Sequence, residues 1–200
     1  DAGSLGHQVS QVGSLIQQLD IFPDRAFAVR VRWQAFMDRP EAFGAAMIAK
    51  TRKATDTSLS RPRLLEVETW WQAPAQVLPA HREAARALTA AGIGVYGNLP
   101  LIFGVNDDPA LVAGLAHALR DAGIEFHHVY AAGLSLQNEL NSAHPVPANR
   151  VLEIASHVRM VCSGREIPLY VIWTPDGEQD FGLGKSGPVS GLSNIPGFTY

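Results

Sequence analysis

The sequence predicts an α/β fold of five helix–strand repeats with a parallel sheet, either open or part of a barrel. Three observations lead there. Apolar runs with helical period alternate with runs that suit a strand, and the strand centres stand roughly 30–40 residues apart. Antiparallel hairpins do not give that spacing, whereas parallel strands joined by crossover helices do. Gly92 and Gly123 stand where two of the helical runs should stop. The stretch 92–108 in mid-chain combines a buried-strand pattern, a turn and a helix start, and the same unit recurs before and after it.

The first helix is expected over 6–19, where Val9, Val12, Leu15, Ile16 and Leu19 recur at helical spacing. Residues 22–25 form a turn. Over 26–33, Phe27, Val29, Val31 and Trp33 alternate with Ala28, Arg30 and Arg32, a strand with two arginines on its second face. Pro40 and Glu41 open a helix that runs to Lys50, and the polar stretch 50–63 is a loop or a frayed helix end. Residues 64–71 are the next strand, and 74–91 the next helix, faced by Val77, Leu78, Ala84, Ala85, Leu88 and Ala91.

The central strand carries Val95, Leu99, Leu101 and Ile102. Asn106 and Asp107 offer side-chain caps to a helix that starts near Pro109 and runs to Ala122. A strand over 124–132, a long loop over 133–147, a helix over 148–161 and a strand over 167–173 follow, and from Pro175 the composition is that of a loop or tail. The expected organisation is a barrel-like body over 1–182 and a tail over 183–200. In parallel sheets the working residues sit at the carboxyl ends of the strands, here 33–38, 69–73, 98–106, 131–141 and 174–180. The first strand would lie at an uncovered edge. That predicts a covering element, either residues that precede Asp1 or another protein chain, a second copy included.

The formal charge of −3 gives no reason to expect nucleic acid or an anionic membrane as partner. One cysteine, Cys162, makes no internal disulfide and holds no metal cluster by itself; it fits a reducing, cytoplasmic setting. No apolar run approaches the ~18 residues of a membrane span, and no signal peptide is evident. Asp1 is not a translation start, so the chain reads as processed or partial.

Several segments resemble a known family. Ala90-Ala91-Gly92-Ile93, Gly97-Asn98 and 101–109 with Gly104-Val105-Asn106-Asp107-Asp108 are similar to the C-terminal half of the lysine 2,3-aminomutase family of radical SAM enzymes. Leu115, Asp121-Ala122-Gly123, Tyr130, His144-Pro145-Val146, Leu152, Ser163-Gly164, Ile167-Pro168 and Thr174-Pro175-Asp176-Gly177 extend the likeness, as do Leu65-Glu66-Val67-Glu68-Thr69 and Pro74 upstream. The resemblance covers roughly residues 25–182. It implies a partial barrel, a [4Fe–4S] cluster, S-adenosylmethionine and, in most members, pyridoxal phosphate; these cofactors would carry an amino-group migration by radical chemistry.

The departures from that family bear on chemistry. Its three-cysteine motif is absent from this chain, and Cys162 does not replace three thiolates. The nearest counterpart of its glycine-rich segment at S-adenosylmethionine is 1–5, with Gly3. Trp70 and Leu99 stand for a histidine and a glutamine that the family uses around S-adenosylmethionine, and neither supplies the same hydrogen bonds. Asp180 falls where the imine-forming lysine should be, with Lys185 the nearest amine, which argues against pyridoxal phosphate. Ser142-Ala143 stand for its phosphate-binding arginine. The two aspartates that would hold a substrate amine are replaced, one near Gly133 and one by Trp173.

The candidate cofactor-binding residues are therefore Asn98, Trp70 and Gly3, with no metal ligand assigned. Each candidate has a plainer alternative. Asn98 contacts a cofactor or stabilises a turn, and Trp70, Trp71 and Trp173 either wall a pocket or fill one. Adjacent on one strand, His127 and His128 should face opposite ways. His144 precedes a proline in a loop and is a ligand or a loop residue. Arg30 and Arg32 bind an anion or pair with Glu66 and Glu68. Glu178 and Asp180 serve acid–base chemistry or sit in a solvated loop.

The resulting expectation is a divergent aminomutase-like radical SAM protein, this chain lacking the cluster-binding part and the pyridoxal phosphate lysine and so inactive alone. A non-catalytic structural or regulatory subunit that kept the barrel is the alternative. A further one is a pyridoxal-phosphate-independent radical SAM enzyme with another substrate.

Overall fold

The computed structural model describes residues 2–19, 28–32, 34–54, 64–181 and 198–199, and the statements below concern these. The first half of the chain forms α1 (Ala2–Leu19), β1 (Ala28–Arg32), α2 (Gln34–Asp38), α3 (Pro40–Ala54), β2 (Leu64–Trp70), α4 (Pro79–Ala90) and β3 (Ile93–Pro100). The second half forms α5 (Pro109–Ala122), β4 (Glu125–Ala132), α6 (Ser135–Leu140), β5 (Val146–Pro147), α7 (Ala148–Val161), β6 (Leu169–Thr174), β7 (Gly177–Asp180) and β8 (Phe198–Thr199).

Six strands make one sheet in the order β1-β2-β3-β4-β6-β7. β1 runs parallel to β2, with Arg30 opposite Glu66 and Arg32 opposite Glu68, and β4 runs parallel to β6. Strands that follow one another along the chain are also neighbours in the sheet. That sequential order is the one a partial (β/α) barrel uses, while a doubly wound sheet reverses direction partway. The fold class expected from the sequence is the one observed. The last pair departs from it, because β7 runs antiparallel to β6 and folds back through a tight turn at Pro175 and Asp176. A separate parallel pair joins β5 to β8, with Val146 opposite Phe198.

Several local expectations are corrected. The stretch 34–38 is not a loop but α2, and α3 runs past Lys50 to Ala54. The helix expected over 74–91 is two elements, a 3₁₀ turn Pro74–Gln76 and then α4. Pro79 disfavours helical backbone at the residue before it, and Leu78 is extended (φ −80°, ψ 161°). The loop expected over 133–147 contains α6 and β5, elements too short to show a period. The tail expected from Pro175 begins with β7, whose Gly-Glu-Gln-Asp sequence has little strand preference and pairs because β6 offers an edge. The turn expected over 22–25 and the stretch 55–63 lie outside the described residues, as does Trp33.

The chain divides into two compact units. The first comprises Asp1–Thr69, Leu78–Tyr96 and Ala122–Ile124. Its core holds Phe36, Phe43, Met47, Val67 and Leu88, and the Phe36 and Phe43 rings meet edge to face at 5.9 Å. Arg30 pairs with Glu66 at 2.9 Å, as the plainer of the two readings of these arginines has it. His81, buried on α4, is bonded to backbone at both ring nitrogens. Nδ1 accepts the Leu78 N–H at 3.1 Å, and Nε2 therefore carries the proton and donates to the Met37 carbonyl at 2.9 Å. The second unit comprises Trp70–Val77, Gly97–Asp121 and Glu125–Tyr200. Its core holds Trp71, Leu101, Leu115, Leu119, Tyr130 and Ile154. At Gly97 a Cβ would come within 2.9 Å of Leu119 and 3.1 Å of Trp71, so this strand position is kept free of a side chain by its neighbours.

Replacing His81 by leucine keeps the volume and removes both backbone bonds. Urea unfolding of His81→Leu is expected to show a loss of about 1–3 kcal/mol with an unchanged m-value.

Candidate functional site

In the second unit Asn98, Asn106, His128, Gln137 and Asn141 are buried, on β3 and β4 or in the segments that follow them. The turn after β3 is built by three carboxamides, each fully buried. Asn106 accepts the Ile102 N–H at 2.7 Å and donates to the Pro100 carbonyl at 3.0 Å and to Gln72 Oε1 at 2.5 Å. Gln137, on α6, donates to the carbonyls of Leu101 at 3.0 Å and Tyr130 at 2.7 Å. Asn141 donates to the Leu101 carbonyl at 3.0 Å and accepts the Phe103 N–H at 3.0 Å. Gly104 takes the left-handed backbone (φ 68°) that this turn requires, and Asp107 accepts its N–H at 2.8 Å. The cap of α5 is Asp108, which accepts the Leu111 N–H at 2.8 Å, and not Asn106 or Asp107. Pro109 in the first helical position makes the residue before it the cap.

Beside this turn lies a cluster of chemically able side chains. The Tyr130 hydroxyl donates to Glu178 Oε1, and His128 Nδ1 stands 3.9 Å from the same oxygen. The Trp70 ring lies against Tyr130, with centroids 5.4 Å apart and planes tilted by 37°. His128 is buried and its ring stacks on His127 at 3.8 Å, with 25° between the planes. Asn98 is fully buried: its Oδ1 accepts the His128 N–H at 3.2 Å, and its carbonyl accepts the Trp71 N–H at 2.9 Å. A carboxylate, a phenol and an imidazole that share one oxygen, next to an aromatic face, can bind a polar or cationic group and can pass a proton.

The sequence-derived candidates meet this geometry unevenly. Asn98 and Trp70 both reach the cluster, Asn98 as the residue that ties β3 to β4 and Trp70 as its aromatic wall. Gly3 lies in the first turn of α1, in the other unit. The three tryptophans do not gather: Trp71 is fully buried under Gly97, Trp70 packs on Tyr130, and Trp173 is 38% exposed. His127 and His128 do not face opposite ways. Both side chains turn so that their rings stack, which strict alternation does not foresee. Glu178 is no solvated loop residue but a strand residue bonded to Tyr130. His144 stacks on Phe103 at 5.6 Å. The meeting of Glu178 with Tyr130 and His128 was not foreseen, and its one signal in the sequence is the acidic pair next to the Thr-Pro-Asp-Gly turn.

Fold and site together define a parallel α/β protein with a polar cluster at its strand ends. No family model matches the chain. It is similar to L-lysine 2,3-aminomutase of Fusobacterium nucleatum, 26% identical over 111 residues, which is 56% of this chain and 25% of that enzyme. The match points to a distant relationship, and the matched stretch spans about a quarter of the enzyme's length.

The cofactors that such a relationship implies can be set against the residues here. A [4Fe–4S] cluster needs three thiolates, and the one cysteine, Cys162, lies at the end of α7 beside His117 of α5. The residues of this chain do not fit the cluster. Asp180, which the resemblance sets at the position of the imine lysine, is registered opposite Val171 in the β6–β7 hairpin and carries no amine. Lys185 lies outside the described residues. At Gly133 (φ 101°) an added Cβ would collide with the Trp173 backbone carbonyl, so no side chain has room at this position.

Gly133→Ala is expected to lose about 3 kcal/mol or more, since the obstacle is backbone and the φ is one that L side chains rarely adopt. Gly164→Ala meets nothing within 4 Å and should unfold close to wild type in the same urea titration.

Proposed function

We propose that this chain is a divergent relative of the lysine 2,3-aminomutase-like radical SAM proteins and does not by itself carry the amino-group migration. The observation that supports this reading is the contact between Gly133 and Trp173. The resemblance puts amine-holding aspartates near Gly133 and at Trp173; the contact leaves no room for a side chain at Gly133, and an indole in place of a carboxylate stands at 173. In this reading S-adenosylmethionine would meet Asn98 and Trp70, and cluster thiolates come from residues beyond this chain's single cysteine. β1 has a paired neighbour on one side only among the described residues, and its free edge is where a further part of the barrel or another chain would dock. A non-catalytic subunit that kept the barrel is the second reading, favoured by the bonding of Glu178 to Tyr130 and His128 within the chain.

Anaerobic reconstitution with iron and sulfide tests the first reading. This chain is expected to take up no stoichiometric cluster and to show no charge-transfer absorption. After pyridoxal phosphate and borohydride it should carry no site-specific adduct. A full complement of iron and sulfide, or a single pyridoxyl group on Lys185, would overturn it.

A further inference from the structure

The single cysteine does not stand alone. Cys162 ends α7 and is partly exposed, and its Sγ lies 3.9 Å from His117 Nε2 on α5. The other ring nitrogen, Nδ1, lies 3.0 Å from Glu166 Oε1. The Ser163 N–H donates to the second carboxylate oxygen, Oε2, at 2.6 Å, and the Glu166 N–H donates to the Ser163 carbonyl at 2.9 Å, closing the turn that presents the carboxylate. Hydrogen bonds from Ser163 and His117 hold the Glu166 carboxyl down at about 2, so it is an anion at neutral pH. An anionic acceptor at Nδ1 places the ring proton there and leaves the Nε2 lone pair toward the sulfur. The side chains thus stand in the order nucleophile, base, orienter. None of them takes part in the strand-end cluster.

We propose that Cys162, His117 and Glu166 form a thiol-exchange site for small soluble disulfides. Cys162 supplies the attacking sulfur, His117 is its base, and Glu166 is the positioning residue that orients the imidazole. In the step, Sγ attacks one sulfur of RS–SR and its proton passes to Nε2. The S–S bond breaks, and the departing thiolate takes that proton from His117 and leaves as RSH. Cys162 is left as a mixed disulfide; its sulfur is oxidised and the released sulfur is reduced, so no other reagent is needed. Burial, and after it the Glu166 charge, push the thiol above its ordinary value, so the resting group is a thiol and not a thiolate. The site therefore depends on a base at the moment of attack. The other acceptor near Sγ, the Ala113 carbonyl at 4.0 Å, takes no proton. The His117 side chain is 51% exposed, which leaves the reagent a path.

The test uses an aromatic nitrobenzoate disulfide in excess over the full chain and follows release of the coloured thiolate across pH. Near neutral pH the wild type should react about 10–100-fold faster than His117→Ala, with Glu166→Gln between them. At about pH 11, where the thiol ionises unaided, the three rates should converge, and mass spectrometry should find one mixed disulfide per chain. His117→Gln keeps a polar side chain of similar reach and should match His117→Ala. Equal neutral rates in the wild type and either His117 variant would overturn the proposal. A gap that persists at high pH would do so too, because it would report access to the sulfur and not removal of its proton.

Discussion

The second unit rests on the three buried carboxamides of Asn106, Gln137 and Asn141. The backbone leaves β3 and turns before α5, so the Pro100 and Leu101 carbonyls and the Ile102 N–H find side-chain partners while still buried. A buried N–H or C=O without a partner costs roughly as much as a lost hydrogen bond, about 1–3 kcal/mol each. A carboxamide is both donor and acceptor, so one side chain can serve a carbonyl and an amide together, and all three do so here or nearly so. The Gly-Val-Asn-Asp-Asp segment that carries the resemblance is thus accounted for by turn construction. Its likeness to the aminomutases speaks for shared architecture more than for shared chemistry.

Chemistry departs where β6 turns back on itself. The β6–β7 hairpin brings Glu178 to Tyr130 and His128 and sets Asp180 in the ladder. Gly133 lies against the backbone of Trp173. Together these contacts gather a carboxylate, a phenol and an imidazole at the strand ends. The cluster remains polar and aromatic, and so retains the capacity to bind.

The Cys162–His117–Glu166 array lies elsewhere, between α5 and the turn after α7. Its order comes from a carboxylate anchored by the amide of Ser163, which fixes the imidazole, which in turn faces the thiol. Burial, and after it the Glu166 charge, raise the thiol, while hydrogen bonds from Ser163 and His117 lower the carboxyl.

By itself the sequence determined the repeat. The run from Leu111 to Leu119 and the run from Val151 to Val158 have periods long enough to place α5 and α7 at their observed bounds, and Gly92 and Gly123 adopt the positive φ that ends a helix (79° and 77°). The pairing of Arg30 with Glu66 was legible because parallel register sets them side by side. Only the tertiary structure decided β7, α6, the stacking of His127 on His128 and the meeting of His117 with Cys162. A strand as polar as Gly-Glu-Gln-Asp forms because a neighbour offers an edge, and residues 45 positions apart meet because two helices pack, as Cys162 and His117 do. Local pattern records what a segment prefers when alone; contacts between distant segments arise from the packing of the whole chain, which no local period encodes.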